Sequence, residues 1–354
     1  MSADTISRLV SLCRSMPKIE LHAHLSGSLS DSTVLRLLND KRQQGDISLP
    51  ESAEFTINRG PKRTIDECFE IFSILHKLTD SLSAVSSMTK DVIREFAADN
   101  VCYLELRTTP KLIPGVMDKN QYIEAVLDAI IDEEKESNIM VRLLLSLDRG
   151  RPLQDNKETL QMAKYYHNHK KKSLNYLDEG DPPRNGKRRC RLPLFSRAAA
   201  FAQMATLKLN LIKDDGESLA VLRSGFIDRI GHGTYLHTAM GGDQACEKIV
   251  AKSLIPIEIC LSSNCKSHTV ESIEKHHIQH WLKLRHPLII CTDDKGVFST
   301  TLSEEFILAV QNFSLDDGHL EQLCYNGVDA SFLPQADKEI LRQKITNEFS
   351  IFRH

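Results

Sequence analysis

The chain has 354 residues, 41% hydrophobic and 26% charged, with a formal net charge of -3. That length supplies a core for one large barrel or two smaller domains, and the near-neutral balance excludes the strong field that nucleic acid or an anionic membrane demands. The N-terminal "MSADTISRLVSLCRSMPK" lacks a leader's apolar core, and no run is long enough for a bilayer. Nine cysteines without a C-x-x-C pair point to the reducing cytosol and away from cysteine as a metal ligand.

In chain order, the strand candidates are "KIELHAHL", "VCYLELRTTP", "MVRLLLSLD", "LNYLDEGD", "TLKLNLI", "FIDRIGHGT", "IPIEICLSSN" and "HPLIICTDD". Helical segments such as "TIDECFEIFSILHKLTD" and "YIEAVLDAIIDEEKES" lie between them, with apolar residues three and four apart. Many of the strands are almost continuously apolar, as strands covered on both faces must be. Eight β-then-α units predict an α/β fold, a TIM-like (β/α)8 barrel forming one domain over residues 1–354. A doubly wound sheet is the alternative, but no glycine-rich phosphate loop follows the first strand.

In such a barrel the active site sits at the C-terminal ends of the strands. The chemistry-bearing residues fall there: His22 and His24 on the first, Arg107 on the second, Asp148 on the third, His232 on the sixth, and Asp293 and Asp294 on the eighth. His22 and His24 leave one face of their strand with Cα atoms ~6.6 Å apart. From there two imidazoles can share an ion at ~2.0–2.1 Å; the plainer reading is a strand end with hydrogen-bonded histidines. The first and last strands of a closed barrel are neighbours, so Asp293 is within reach of the same ion. His232 lies between two glycines, where a sharp turn can expose its ring to orient an attacking water. The Asp293–Asp294 pair reads either as ligand plus substrate contact or as a helix cap. "ELRTTP" suits a polar or anionic ligand, or a capped loop before Pro110. The cluster His276, His277 and His280 falls in a helical stretch away from these ligands and reads as solvated or structural. The basic run "GKRRC" has no interleaved aromatics and makes no nucleic-acid groove.

Together "PKIELHAHLSGSL", "ELRTTP", "DRIGHGT", "IEICLSSN" and "CTDDKGVFST", in this order, resemble the adenosine deaminase superfamily, in its N6-methyl-AMP deaminase branch. The likeness runs from about Pro17 to beyond Glu304. It implies a zinc-dependent barrel that hydrolyses the purine 6-amino substituent, here methylamine from N6-methyl-AMP to give IMP. By resemblance one Zn2+ is held by His22, His24 and Asp293, and His232 positions the attacking water. Asp294 contacts the purine, while His24, Ser26, His76, Arg107, Thr108, Thr109, Pro110, Asp148 and Gly180 match substrate-contacting positions. Ser26 stands where this branch usually has asparagine. The implied partner is a small purine nucleotide, with no nucleic acid or membrane, and the expected state is a cytosolic monomer.

One stretch departs from the resemblance. The family's fifth strand closes on a further histidine ligand, with a proton-donating glutamate three residues later, whereas this chain reads "TLKLNLIKDDGES". The segment from about 173 to 212 looks as if a few residues carrying both had been removed, as altered splicing or a faulty gene model would do. Losing a general acid costs ~10²–10⁴-fold in rate, so activity is expected to be impaired unless Asp214, Asp215 or Glu217 substitutes. The other readings are a non-catalytic purine-nucleotide binder, a deaminase of adenosine or another aminopurine, or a metal-dependent hydrolase with a different substrate.

Overall fold

The computed structural model describes residues 2–45, 49, 52–147, 151–169, 218–219, 222–223 and 227–353. Within these, six parallel strands alternate with helices. β1 (Lys18–His24), β2 (Val101–Thr108) and β3 (Met140–Leu145) pair in the order 1-2-3, and β4 (Ile230–Gly231), β5 (Ile257–Ile259) and β6 (Leu288–Ile290) in the order 4-5-6. The two sheets meet where the chain leaves β6. The Asp293 N–H donates to the His22 carbonyl at 2.8 Å, and the His24 N–H donates to the Asp293 carbonyl at 2.9 Å. The first and last strands are therefore adjacent, as the barrel reading requires. The expected fourth and fifth strands, "LNYLDEGD" and "TLKLNLI", lie outside the described residues, as do Asp148 and Gly180.

The apolar runs form strands because both faces are covered. Leu21, Leu104, Leu106, Ile257, Ile259 and Ile290 are fully buried in one contiguous core. Three acids on the same strands, Glu20, Glu105 and Glu258, are equally buried, and each is paired. Glu20 joins β1 to the end of β6: one oxygen takes the His22 N–H at 2.8 Å, and the other takes the Thr292 N–H at 2.9 Å and its hydroxyl at 2.8 Å.

Two strand expectations need correction. The stretch "LSSN" does not prolong β5, because Leu261–Lys266 is a short helix. "FIDRIGHGT" contributes only a two-residue strand before the chain turns at His232. In both places the polar tail of the motif leaves the ladder to build the site. The helix Ile65–Leu78 lies over that end of the sheet. It starts cleanly because Thr64 and Glu67 form a reciprocal capping box.

Candidate active site

The ends of β1, β4 and β6 bring His22, His24, His232 and Asp293 to one point. His22 Nε2 is 3.4 Å and His24 Nε2 3.2 Å from Asp293 Oδ1, and His232 Nε2 is 3.7 Å from Oδ2. His22, His24 and Asp293 each offer one donor atom, all within 4.8 Å of one another. The backbone is bent to achieve this. His232 and Asp293 both sit in the left-handed region, at φ 58° and 64°, which costs non-glycine residues energy and marks sites where geometry outweighs comfort.

Glu258 dictates what His22 can do. Its Oε2 accepts His22 Nδ1–H at 2.7 Å, which leaves the Nε2 lone pair facing Asp293. The same oxygen accepts Arg107 Nη2–H at 2.7 Å, and Oε1 accepts Arg229 Nε–H at 2.7 Å. Burial raises the Glu258 pKa, but Arg107 and Arg229 outweigh it and hold the group well below the carboxylate range. Burial and Arg107 push His22 down, yet the carboxylates of Asp293 and Glu258 carry it above its ordinary value.

His22 Nε2 and His232 Nε2 are both buried without a hydrogen-bond partner. An unpartnered buried acceptor is costly, and two of them beside a carboxylate are what a cation relieves. The donor set of two imidazoles and one carboxylate fits a borderline divalent ion of the zinc kind. Burial drives the His232 imidazole down to about 4, so it is neutral at physiological pH. Asp293 is held well below the carboxylate range because the imidazoles His232, His22 and His24 outweigh its burial. Its neighbour Asp294 moves the other way, up to about 7, through burial and the Asp293 charge. Two adjacent carboxyls thus end in opposite states, one suited to a cation and one able to donate.

The surrounding residues form a cleft of about 200 Å³. His232, Asp293, Asp294, Ser263 and Asn264 line it with polar groups, while Phe69, Phe72 and Phe298 supply apolar walls. Gly27 leaves room for Asp294, since a Cβ there would lie 1.6 Å from Asp294 Oδ1 and displace the carboxyl.

The remaining predicted residues divide by position. Ser26 opens the turn Ser26–Ser28 directly after β1. Thr109 is half-buried and Pro110 buried after β2. Thr108 turns inward and shares a 2.6 Å hydrogen bond with the Tyr122 hydroxyl. Arg107 is also buried, with Nη2 bonded to the Leu21 carbonyl and Glu258. His76 lies on the helix Ile65–Leu78, and its pKa is lowered by partial desolvation and by the charges of Lys111 and Arg151.

Sequence reasoning missed the supports. Ser263 donates to Asp293 Oδ2 at 2.7 Å. Asn264 Nδ2 lies 3.4 Å from His232 Nδ1, and its Oδ1 lies 3.2 Å from His276 Nε2. His277 Nε2–H donates to the His232 carbonyl at 2.7 Å. His276 and His277 are therefore neither solvated nor remote: both are buried and hold the residue that faces the cleft. The available signal was a charged residue inside an apolar run, "IPIEIC", which can be buried only if paired.

Residues 17–348 match the adenosine deaminase family. The chain belongs to that family. It is 39% identical over 333 residues to the N6-methyl-AMP deaminase of Homo sapiens, covering 93% of this chain and 92% of the relative. The N6-methyl-AMP deaminase-L of Xenopus laevis is 38% identical over 343 residues, 96% of each chain. Among solved structures, arabidopsis ADAL complexed with IMP superposes with a TM-score of 0.77 at 32% identity, covering 97% of this chain and 99% of that one. The TIM-like amidohydrolase fold follows, and the chain is a hydrolytic deaminase of a metal-dependent family.

Proposed function

We propose that the chain hydrolyses N6-methyl-AMP to IMP and methylamine, with one zinc ion held by His22, His24 and Asp293. The observation that carries this reading is the pair of buried, unpartnered Nε2 atoms of His22 and His232 beside Asp293, in a chain whose curated relatives bear that activity in their names. When bound, zinc supplies Lewis acidity that brings a water's ionisation toward ~7.

The chain's own groups do the rest. Phe69, Phe72 and Phe298 enclose the purine and keep bulk water from its faces. Asp294, protonated up to about 7, donates a hydrogen bond to a purine ring nitrogen. His232, held by Asn264 and His277, orients the water toward C6 and relays its proton at Nε2. The water oxygen forms the new C6–O bond, the C6–N bond breaks, and the proton leaves on methylamine. Lys111 and Arg151, whose charges both reach His76, give the phosphate a cationic setting and favour nucleotide over nucleoside. Ser26, Thr109 and Pro110 stand at the strand ends where the ribose and base would pass. The parallel strands fit one closed eight-stranded barrel spanning the chain and acting as a monomer in the cytosol. None of the eight cysteines among the described residues forms a disulfide, in keeping with that compartment.

A second reading rests on "TLKLNLIKDDGES", which does not carry the histidine and glutamate at the spacing the resemblance leads one to expect: binding of the nucleotide with strongly slowed turnover. Comparing kcat/KM for N6-methyl-AMP, N6-methyladenosine and AMP tests both. The proposal expects N6-methyl-AMP to be preferred over both the nucleoside and AMP. Equal use of the nucleoside would remove the phosphate argument, and tight binding without product would establish the second reading.

A further inference from the structure

A second cluster of metal-ligand side chains lies outside the cleft. His237 stands at the start of the turn Thr238–Met240, Glu247 on the helix Gln244–Ser253 and His280 on the helix Ile278–Lys283. Their ring and carboxylate atoms converge: the two imidazole centroids are 3.6 Å apart, Glu247 Oε1 is 3.0 Å from His280 Nε2, and Oε2 is 4.0 Å from His237 Nδ1. One donor atom from each of the three lies within 4.8 Å of the others.

An ordinary ion pair does not account for this arrangement. A single proton can satisfy one ring against Glu247, yet the second ring stays pressed against the first. His280 Nε2 is shielded from solvent, and its approach to Glu247 lacks hydrogen-bond geometry, so it has no hydrogen-bond partner. The Glu247 carboxylate is already aimed, because its Oε2 accepts the Thr238 N–H at 3.1 Å. The side chains retain 16%, 18% and 25% exposure, which leaves a path for an ion and room for a water.

We infer that His237, Glu247 and His280 form a second divalent-cation site, taking zinc or a similar borderline metal with water completing the coordination. Two imidazoles and a carboxylate plus an open position is a zinc donor set; magnesium and calcium prefer oxygen alone. His237 Nδ1 now accepts the Ala239 N–H at 2.8 Å, so loading exchanges or rearranges that bond and makes this the weaker of the two sites. The ion would fasten three elements, including the loop whose Thr234 and Tyr235 line the cleft.

The test is a count of bound metal on the full-length, metal-stripped protein titrated with zinc against a chelating indicator. His280→Ala and Glu247→Gln remove ligands from different helices, so a folding defect in one leaves the other informative. The expected result is one equivalent fewer in each variant than in wild type, with the remaining equivalent lost in His22→Ala. The difference survives even if the cleft itself binds no metal, because it is read against wild type. Equal stoichiometry in wild type and in either folded variant overturns the second site.

Discussion

His22 can face the cleft with a free Nε2 only because Glu258 occupies Nδ1, and Glu258 tolerates its burial only because Arg107 and Arg229 flank it. Glu258→Gln is therefore expected to do two things. It should weaken metal binding by ~10–100-fold, the usual cost of losing a ligand's orienting partner. It should also destabilise the fold by about 3–5 kcal/mol, because buried Arg107 loses its counter-ion and Arg229 keeps only Glu105. Metal titration and urea denaturation measure these separately, and a variant unchanged in both would show that Glu258 is incidental. Gly27→Ala places a methyl where Asp294 now lies. The carboxyl must move, and a displacement of ~1 Å at a reacting centre can cost about 10²-fold in rate. Steady-state kinetics on the folded variant should show that loss; unchanged kinetics would remove Asp294 from the chemistry. At this scale the sequence revealed the histidines and Asp293, since unusual residue types at strand ends stand out. Glu258 and Asn264 were hidden because their roles exist only through partners distant in the chain.

Elements carry the next level of support. The short helices Leu261–Lys266 and Ile278–Lys283 matter less for length than for what flanks them: Asn264 in the first, and His276 and His277 just before the second. Burial lowers the His277 pKa to about 4, whereas the unfolded chain protonates it near the ordinary histidine value of ~6.5. A depressed histidine contributes stability that is present above about pH 6.5 and lost as pH falls toward about 4. The span corresponds to about 3 kcal/mol. His277→Gln keeps an N–H for the His232 carbonyl but does not titrate. Urea denaturation at about pH 5 and about pH 7.5 should show a shallower acid loss in the variant; parallel curves would contradict the assignment. Nearly continuous apolar runs identified the strands in position, yet they could not show that "LSSN" would coil. That turn is fixed by Ser263 reaching Asp293 and the backbone bonds of the short helix, neither of which has a local pattern.

Across the whole molecule, what matters is that β1 and the end of β6 touch despite their separation in sequence. Ala23 and Asp293 form the bridge that converts two three-stranded sheets into one parallel array. The barrel pattern made this adjacency legible in advance, because eight apolar runs alternating with amphipathic helices leave few topologies. The two middle strands lie outside the described residues, and so does the place where the family's fifth-strand histidine and glutamate are expected. The central claim is that His22, His24, Asp293 and His232 form a metal-dependent hydrolytic site for a purine nucleotide. Its most direct test is IMP formation from N6-methyl-AMP by zinc-loaded protein, metal-stripped protein and His22→Ala. The account predicts product from the loaded enzyme alone. Product that is indifferent to stripping, or none from folded and loaded protein, would contradict it.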